Sequence, residues 1–164
     1  MRSAWITGLL WFSAIGCGLV AGLYFAFSGF IMTALSRIDQ ASGVAAMNSI
    51  NTAILRSPFM PLFFGTTLAA LILAVVAVFR WGAPGSTAML VGGVVYVVGM
   101  FVVTMLFNVP LNNALQAVGS ASADTAPTWQ RYLSDWTMWN HVRTVASTVA
   151  CAVFIVALTA GRSS

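Results

Sequence analysis

Four long apolar stretches, separated by shorter polar segments, make up most of the chain. Residues 4–36 contain no ionisable acid or base, and residues 59–79, 87–107 and 135–159 are further apolar stretches. Each is as long as the ~20 residues that a helix needs to cross the hydrocarbon core of a bilayer. The pattern predicts an all-α integral membrane protein, a four-helix bundle that forms a single domain over residues 1–164.

The first apolar stretch is longer than a membrane requires. As a helix it would measure roughly 50 Å, against a hydrocarbon core of about 30 Å. We therefore expect it to tilt or to project beyond the membrane. A cleaved signal peptide is the alternative, because Arg2 precedes the apolar run. The run continues well beyond Cys17, further than the apolar region of a signal peptide extends.

A short amphipathic segment lies between the first two spans, at residues 41–55. Val44, Met47 and Ile50 recur at helical spacing, and Asn48 and Asn51 lie on the neighbouring arc. The segment is too short and too polar to cross a membrane. It predicts a short interfacial helix between spans 1 and 2.

Glycine and proline mark the expected irregularities in the rest of the chain. Residues 82–85, with the sequence GAPG, predict a tight turn. Pro110 is expected to break or kink the third helix and to free backbone carbonyls. Gly92, Gly93 and Gly99 predict a close helix contact. Residues 18–22 form a GxxxG motif, which suggests either a homo-oligomer or packing inside the bundle.

Composition supports the membrane assignment and limits the kinds of partner that the protein can bind. The chain is 60% hydrophobic and only 6% charged, whereas soluble domains carry about 25% charged residues. Its net charge of +4 comes from seven arginines set against three aspartates. These arginines are scattered, which suits lipid head groups and gives nucleic acid no basic tract to follow. We expect the plasma membrane of a bacterium, with the lipid bilayer and a hydrophobic small molecule as partners.

Counting the membrane crossings brings the polar residues to one end of the bundle. Residues 37–58 and 108–136 lie on the same face, opposite to Arg2, Arg80 and Arg162. Arginine counts on the two faces are similar, but Arg2 ahead of the first helix favours cytoplasmic termini. The polar end gathers a set of candidate binding residues, namely Asn48, Asn51, Arg56, Asn108, Asn112, Asn113, Trp136, Trp139 and Asn140.

The largest concentration of polar and aromatic side chains lies at the start of the last span, in residues 136–147, WTMWNHVRTVAS. His141, the chain's one histidine, is a possible proton acceptor near neutral pH. Arg143 keeps its charge and is suited to hold an oxyanion. Ionisable groups beside a span point to a function. The plain alternatives are an interfacial tryptophan belt, an arginine that reaches the head groups and a hydrogen-bonded packing histidine.

A metal site is poorly supported by the sequence. One histidine, no glutamate and two cysteines within apolar spans, Cys17 and Cys151, do not supply a closed ligand set. We read both cysteines as small buried hydrophobic residues. We therefore expect no metal and no organic cofactor.

Two motifs resemble a known family. Residues 108–112, NVPLN, followed by residues 139–143, WNHVR, resemble the anthrone oxygenase-like integral membrane family, long regarded as a domain of unknown function. The resemblance extends over nearly the whole chain. It implies an oxidoreductase that oxidises an aromatic, anthrone-like molecule with dioxygen as co-substrate and without a cofactor.

The resemblance also implies roles for particular residues. His141 would be the catalytic base and Arg143 the oxyanion partner. Asn108, Asn112 and Asn140 would orient the substrate carbonyl, and Trp136 and Trp139 would form stacking walls. The alternative is a non-catalytic membrane protein that binds a hydrophobic ligand or partner at its polar end.

Overall fold

The computed structural model describes residues 3–119 and 124–160, and within these ranges the secondary structure is entirely helical. The helices are α1 (Ala4–Arg37), α2 (Gln40–Ile54), α3 (Phe59–Phe79), α4 (Ser86–Val118) and α5 (Thr125–Ala160). All but α2 are long and apolar enough to cross a membrane. The chain is therefore a multi-pass membrane protein, and the predicted fold class is confirmed.

The last two spans extend further than their apolar stretches predict. Helix α4 runs on to Val118, and α5 already begins at Thr125. Of the break or kink expected at Pro110, a break is not found: the helix continues to Val118, and a π-helical turn at Thr104–Asn108 precedes the proline. In that turn the Val109 N–H donates to the Thr104 carbonyl, five residues back. Pro110 then falls in the first turn of the following α-helical segment, where a missing N–H costs little.

Three of the four spanning helices, α1, α4 and α5, contain π-helical turns. They lie at Phe27–Ile31 in α1, at Val97–Val102 and Thr104–Asn108 in α4, and at Tyr132–Trp136 in α5. Turns of this kind are rare and frequently occur at functional sites. Here they concentrate towards the end of the bundle where the polar residues collect.

Small residues let α4 approach its neighbours closely, as predicted. A Cβ atom on Gly93 would lie 2.5 Å from the Ala70 carbonyl oxygen of α3, and one on Gly99 would lie 2.6 Å from the Ala146 Cβ of α5. The GxxxG motif of α1 behaves differently. Both Gly18 and Gly22 are exposed on the single chain; a Cβ on Gly18 would lie 3.6 Å from the Cys151 Sγ of α5, whereas one on Gly22 would have no atom within 4 Å.

Helix α2 covers the polar end of the bundle. Its first turn is capped by Asp39, whose Oδ1 accepts a hydrogen bond from the Ser42 N–H at 3.0 Å. The apolar face of α2 presents Val44 and Met47, both buried, to a cluster that includes Leu115 and Trp129. The predicted short helix between the first two spans is therefore present, and it closes over the bundle.

Candidate functional site

A cavity of about 340 Å³ lies beneath α2 at the polar end of the bundle. Residues from the second half of α1, the second half of α2, the start of α3, the second half of α4 and two positions of α5 enclose it. Its polar and aromatic lining consists of Tyr24, Phe27, Asn48, Asn51, Thr52, Phe59, Phe63, Thr104, Asn112, Asn113, Gln116, Trp136 and Arg143. The structure thus brings together residues that are as many as 119 positions apart in the sequence.

The rim of the cavity reaches the outer surface of the bundle. Two apolar lining residues are exposed there, Leu55 at 65% and Met105 at 37%. Asn113 and Gln116 are exposed lining residues on α4. The opening is therefore apolar on one part of its rim and amide-bearing on another.

Arg143 places a positive charge at the cavity wall. Its side chain is only 4% exposed, and its guanidinium carbon lies 4.1 Å from the ring centroid of Tyr24 and 5.1 Å from that of Trp136. One terminal nitrogen donates to the Asn140 Oδ1 at 2.6 Å. The Nε atom is buried and makes no hydrogen bond within the described residues.

Asn140 ties Arg143 to the irregular part of α1. The Asn140 side chain is fully buried. Its Nδ2 donates to the Tyr24 carbonyl oxygen at 2.7 Å and also to the Ser28 hydroxyl. Ser28 lies in the π-helical turn of α1. The amide therefore links α1 to the guanidinium through three hydrogen bonds.

Within the described residues, Arg143 forms no ion pair with a carboxylate. Asp135 is paired with Arg131 at 3.2 Å, and the exposed Asp39 caps α2. The near neighbours of the guanidinium are the rings of Tyr24 and Trp136 and the neutral amide of Asn140. The positive charge at the cavity wall is thus not neutralised by a protein anion in this part of the chain.

Stacked aromatic rings support Trp136. Trp129, Tyr132 and Trp136 lie nearly parallel along α5, with centroid separations of 5.8 Å and 5.6 Å. Phe27 meets Trp136 edge to face at 5.6 Å. The indole Nε1 of Trp136 is buried without a hydrogen-bond partner in the described residues. One wall of the cavity is therefore a fixed aromatic surface.

Asparagines from α2 and α4 complete the polar end. Asn112 accepts a hydrogen bond from the Tyr132 hydroxyl at 2.8 Å, and Asn51 donates to the same hydroxyl at 3.4 Å. Both line the cavity, as does Asn48. Asn108 is buried behind this layer and donates to the Trp136 carbonyl oxygen at 3.1 Å.

Some of the candidate residues lie away from the cavity. His141 and Arg56 are exposed and do not line it. Trp139 stacks on Phe107, with ring centroids 3.7 Å apart, and is not part of the lining. Asn140 does not line the cavity and contacts it only through its hydrogen bond with Arg143. The structure therefore gathers Asn48, Asn51, Asn112, Asn113, Trp136 and Arg143 around the space and leaves His141 outside it.

The sequence pattern did not single out two residues that the structure places in contact with this set. Tyr24 underlies the guanidinium, and the Tyr132 hydroxyl joins Asn51 to Asn112. A sequence signal exists for the second, because Trp129, Tyr132 and Trp136 follow at spacings of three and four residues on one helix face. Tyr24 lies in the middle of an apolar span, where its spacing of four residues from Ser28 predicts two hydroxyls on one helix face but no contact with Arg143.

Metal ligands do not cluster in the part of the chain that the structure describes. No group of three or more His, Cys, Asp or Glu side chains lies close enough there to hold an ion. Cys17 is buried and Cys151 half-buried, and both are free thiols.

Comparison with known proteins gives one match. The family model described as anthrone oxygenase matches residues 59–153, more than half of the chain. This range covers α3, α4 and most of α5, and it includes Asn112, Trp136 and Arg143. No curated protein and no solved structure matches the chain.

Proposed function

The chain belongs to the anthrone oxygenase family, and we propose that it is a membrane-embedded oxygenase that oxidises a hydrophobic, anthrone-like aromatic molecule with dioxygen. One observation carries the proposal. A buried guanidinium, that of Arg143, lies at the wall of a cavity lined by aromatic rings. A flat substrate can lie against Trp136 while its carbonyl oxygen faces the positive charge.

The chemistry follows from the acidity of such a substrate. A methylene group between two aryl rings and opposite a carbonyl loses a proton to give an anion whose charge spreads onto the oxygen. Arg143 stabilises that oxygen, as donors in an oxyanion hole do. The carbanion then reduces dioxygen and forms a C–O bond, and the resulting peroxide takes up a proton. Loss of the second C–H proton with O–O cleavage yields a ketone and one water.

The protein's contribution in this proposal is binding and electrostatics. The carbanion supplies the electrons to dioxygen, so the scheme uses dioxygen as co-substrate and no further cofactor. His141 lies on the outer surface, so we assign proton removal to water at the amide-bearing part of the rim. Asn51 and Asn112, linked through Tyr132, would hold the polar edge of the substrate.

Oxygen uptake with a simple anthrone, in detergent, provides the experiment. Arg143→Gln should lower kcat/KM by about 100-fold, the scale of losing one oxyanion donor. Arg56→Gln, a matched change at an exposed arginine, and His141→Ala should stay within about twofold of wild type. Retained turnover in folded Arg143→Gln would overturn the proposal. A metal bound to the purified protein in stoichiometric amount would overturn the part of the proposal that requires no cofactor.

A second candidate function is ligand binding without catalysis. The specific observation in its favour is that the described cavity lining contains neither a carboxylate nor an imidazole to act as a base. In that case an aromatic ligand binds with an Arg143-dependent affinity, and no oxygen is consumed above the spontaneous rate.

We further propose that the protein resides in a bacterial plasma membrane with cytoplasmic termini, which places the cavity at the outer face. Arg2, which precedes the first helix, supports this orientation; the arginine counts, three on the side of the termini and four on the cavity side, do not decide it. Labelling of single cysteines introduced at Gly82 and Ser42 with a membrane-impermeant reagent reports the orientation. Labelling at Ser42 alone in intact cells is expected, and labelling at Gly82 alone would reverse the assignment.

A further inference from the structure

We infer that the cavity binds its aromatic ligand as an anion, and that Asn140 is the positioning residue that holds Arg143 in place without neutralising it. The inference rests on the cavity of the proposed function and specifies its substrate class as a weakly acidic aromatic in its ionised form. It concerns binding alone, so it stands or falls independently of oxygen chemistry.

The orientation of the Asn140 amide is fixed by its partners. The Tyr24 carbonyl oxygen can only accept a hydrogen bond, so the NH₂ group of Asn140 must face it. The guanidinium can only donate, so the Oδ1 atom must face Arg143. A flipped amide would oppose oxygen to oxygen and N–H to N–H. The network therefore has a single arrangement, in which Asn140 receives one guanidinium N–H.

A neutral residue at this position leaves the charge of Arg143 intact. An aspartate would accept the same hydrogen bond and would also form a buried ion pair. The two aromatic rings offset part of the charge through their π faces. Rings and amides do not cancel a full positive charge that has left water. The wall of the cavity therefore carries an uncompensated positive charge that favours a negatively charged group on the ligand.

The shape of the site selects the kind of anion. Arg143 shares the wall with the aromatic ring of Trp136, so a positive charge and a flat apolar surface lie side by side. The stacked Tyr132 and Trp129 hold that indole rigidly. A flat ring system with an oxyanion in conjugation, such as a phenolate or an enolate, matches both features. A lipid phosphate would satisfy the charge and leave the aromatic wall unused.

Binding of two isosteric probes tests the inference directly. Naphthalene-2-carboxylate and naphthalene-2-carboxamide differ in charge and hardly in shape, and dioxygen does not oxidise either. In phosphatidylcholine nanodiscs the wild-type protein should bind the carboxylate more tightly by about tenfold or more, after correction for partitioning into empty discs. Equal affinities for the two probes would overturn the inference without any variant being made.

Two variants assign the preference to named residues. Arg143→Gln should remove the preference for the carboxylate. Asn140→Asp should do the same by supplying an internal counter-charge. Gln130→Glu, also an amide-to-carboxylate change, adds an equal charge at an exposed position of α5 that does not line the cavity, and it should retain most of the preference. If folded Asn140→Asp kept the full preference, the positioning role would be refuted.

Changing the lipid composition of the nanodiscs tests whether Arg143 binds an aromatic anion or a lipid head group. Replacing part of the phosphatidylcholine with phosphatidylglycerol should leave the carboxylate affinity within about twofold after the same correction. Displacement of the probe by phosphatidylglycerol would show that Arg143 serves lipid head groups, which would refute the aromatic-ligand inference. Oxygen uptake enters none of these measurements, so their outcome is separate from that of the proposed oxygenase activity.

Discussion

Arg143 and His141 are two residues apart in the sequence and face opposite environments. On an α-helix, positions 140 and 143 share a face, and position 141 is turned by about 100° from position 140. The sequence pattern therefore supports Asn140 and Arg143 as a pair, and the structure shows them in contact. It cannot show which face meets the cavity. That depends on how α1, α2 and α4 enclose the helix.

Asn108 provides a prediction at the residue scale. Its amide donates to the Trp136 carbonyl oxygen in a buried position. Asn108→Ala should destabilise the protein by about 1–3 kcal/mol, because a buried acceptor loses its partner. Thermal unfolding in detergent measures the loss. The exposed Asn113→Ala is the control, and equal effects of the two changes would contradict the proposed buried hydrogen bond.

At the scale of the elements, the spans were predictable and their irregularities were not. The apolar stretch at residues 59–79 located α3 to the residue, and the amphipathic segment at residues 41–55 located α2 to within one residue. The continuation of α4 through Pro110 depends on a shift to i→i−5 hydrogen bonds at Thr104–Asn108. No residue type predicts that shift, which lies where Asn108 donates to the Trp136 carbonyl oxygen of a helix distant in sequence. Composition alone would place a break there.

The contact between α3 and α4 gives a matched pair of glycine substitutions. Gly93→Ala places a Cβ 2.5 Å from the Ala70 carbonyl oxygen, whereas Gly22→Ala places one where no atom lies within 4 Å. We expect the first to cost about 1–3 kcal/mol and the second to be neutral or slightly stabilising. Thermal unfolding of both variants in the same detergent tests this. Equal stability would mean that α3 and α4 are further apart than described.

The cap of α2 gives a second prediction at this scale. The hydrogen bonds from Ser42 hold the pKa of the exposed Asp39 below its ordinary value, so capping favours the carboxylate. Its contribution is therefore complete above the ordinary pKa of about 4 and is lost as the pH falls through the lowered value. At neutral pH, Asp39→Ala should speed amide hydrogen exchange at the start of α2. Asp39→Asn should preserve protection, since an amide oxygen also caps.

For the whole molecule, counting membrane crossings was enough to bring the asparagines, Trp136 and Arg143 to one end. What the count could not supply is the cover formed by α2 and the contact of Tyr24 with the guanidinium. Both arise from long-range packing between segments that are not neighbours in the sequence. Tyr24, in an apolar stretch, gains its role only when α1 packs against α5.

A single chain encloses the cavity, which leads to a prediction about stoichiometry. The lining comes from α1 to α5 of one molecule. Nanodiscs that contain one chain each should therefore bind naphthalene-2-carboxylate in a ratio of one per chain. Loss of binding in such discs, with recovery in discs that hold two chains, would show that a second copy completes the site. The exposed Gly18 and Gly22 would then be the first surface to examine.

The position of the cavity rim determines whether the substrate concentration that governs binding is the one in water or the one in the membrane. Helix α3, with 21 residues, spans about 31 Å and so matches the hydrocarbon core, and its first residues line the cavity. The opening beside Leu55 and Met105 therefore lies at the level where the acyl chains begin. A lipophilic substrate dissolved there is supplied in two dimensions. The KM for such a substrate should therefore be expressed as its mole fraction in the lipid. Adding empty vesicles at constant total substrate should slow turnover, because the added lipid dilutes the substrate within the membrane.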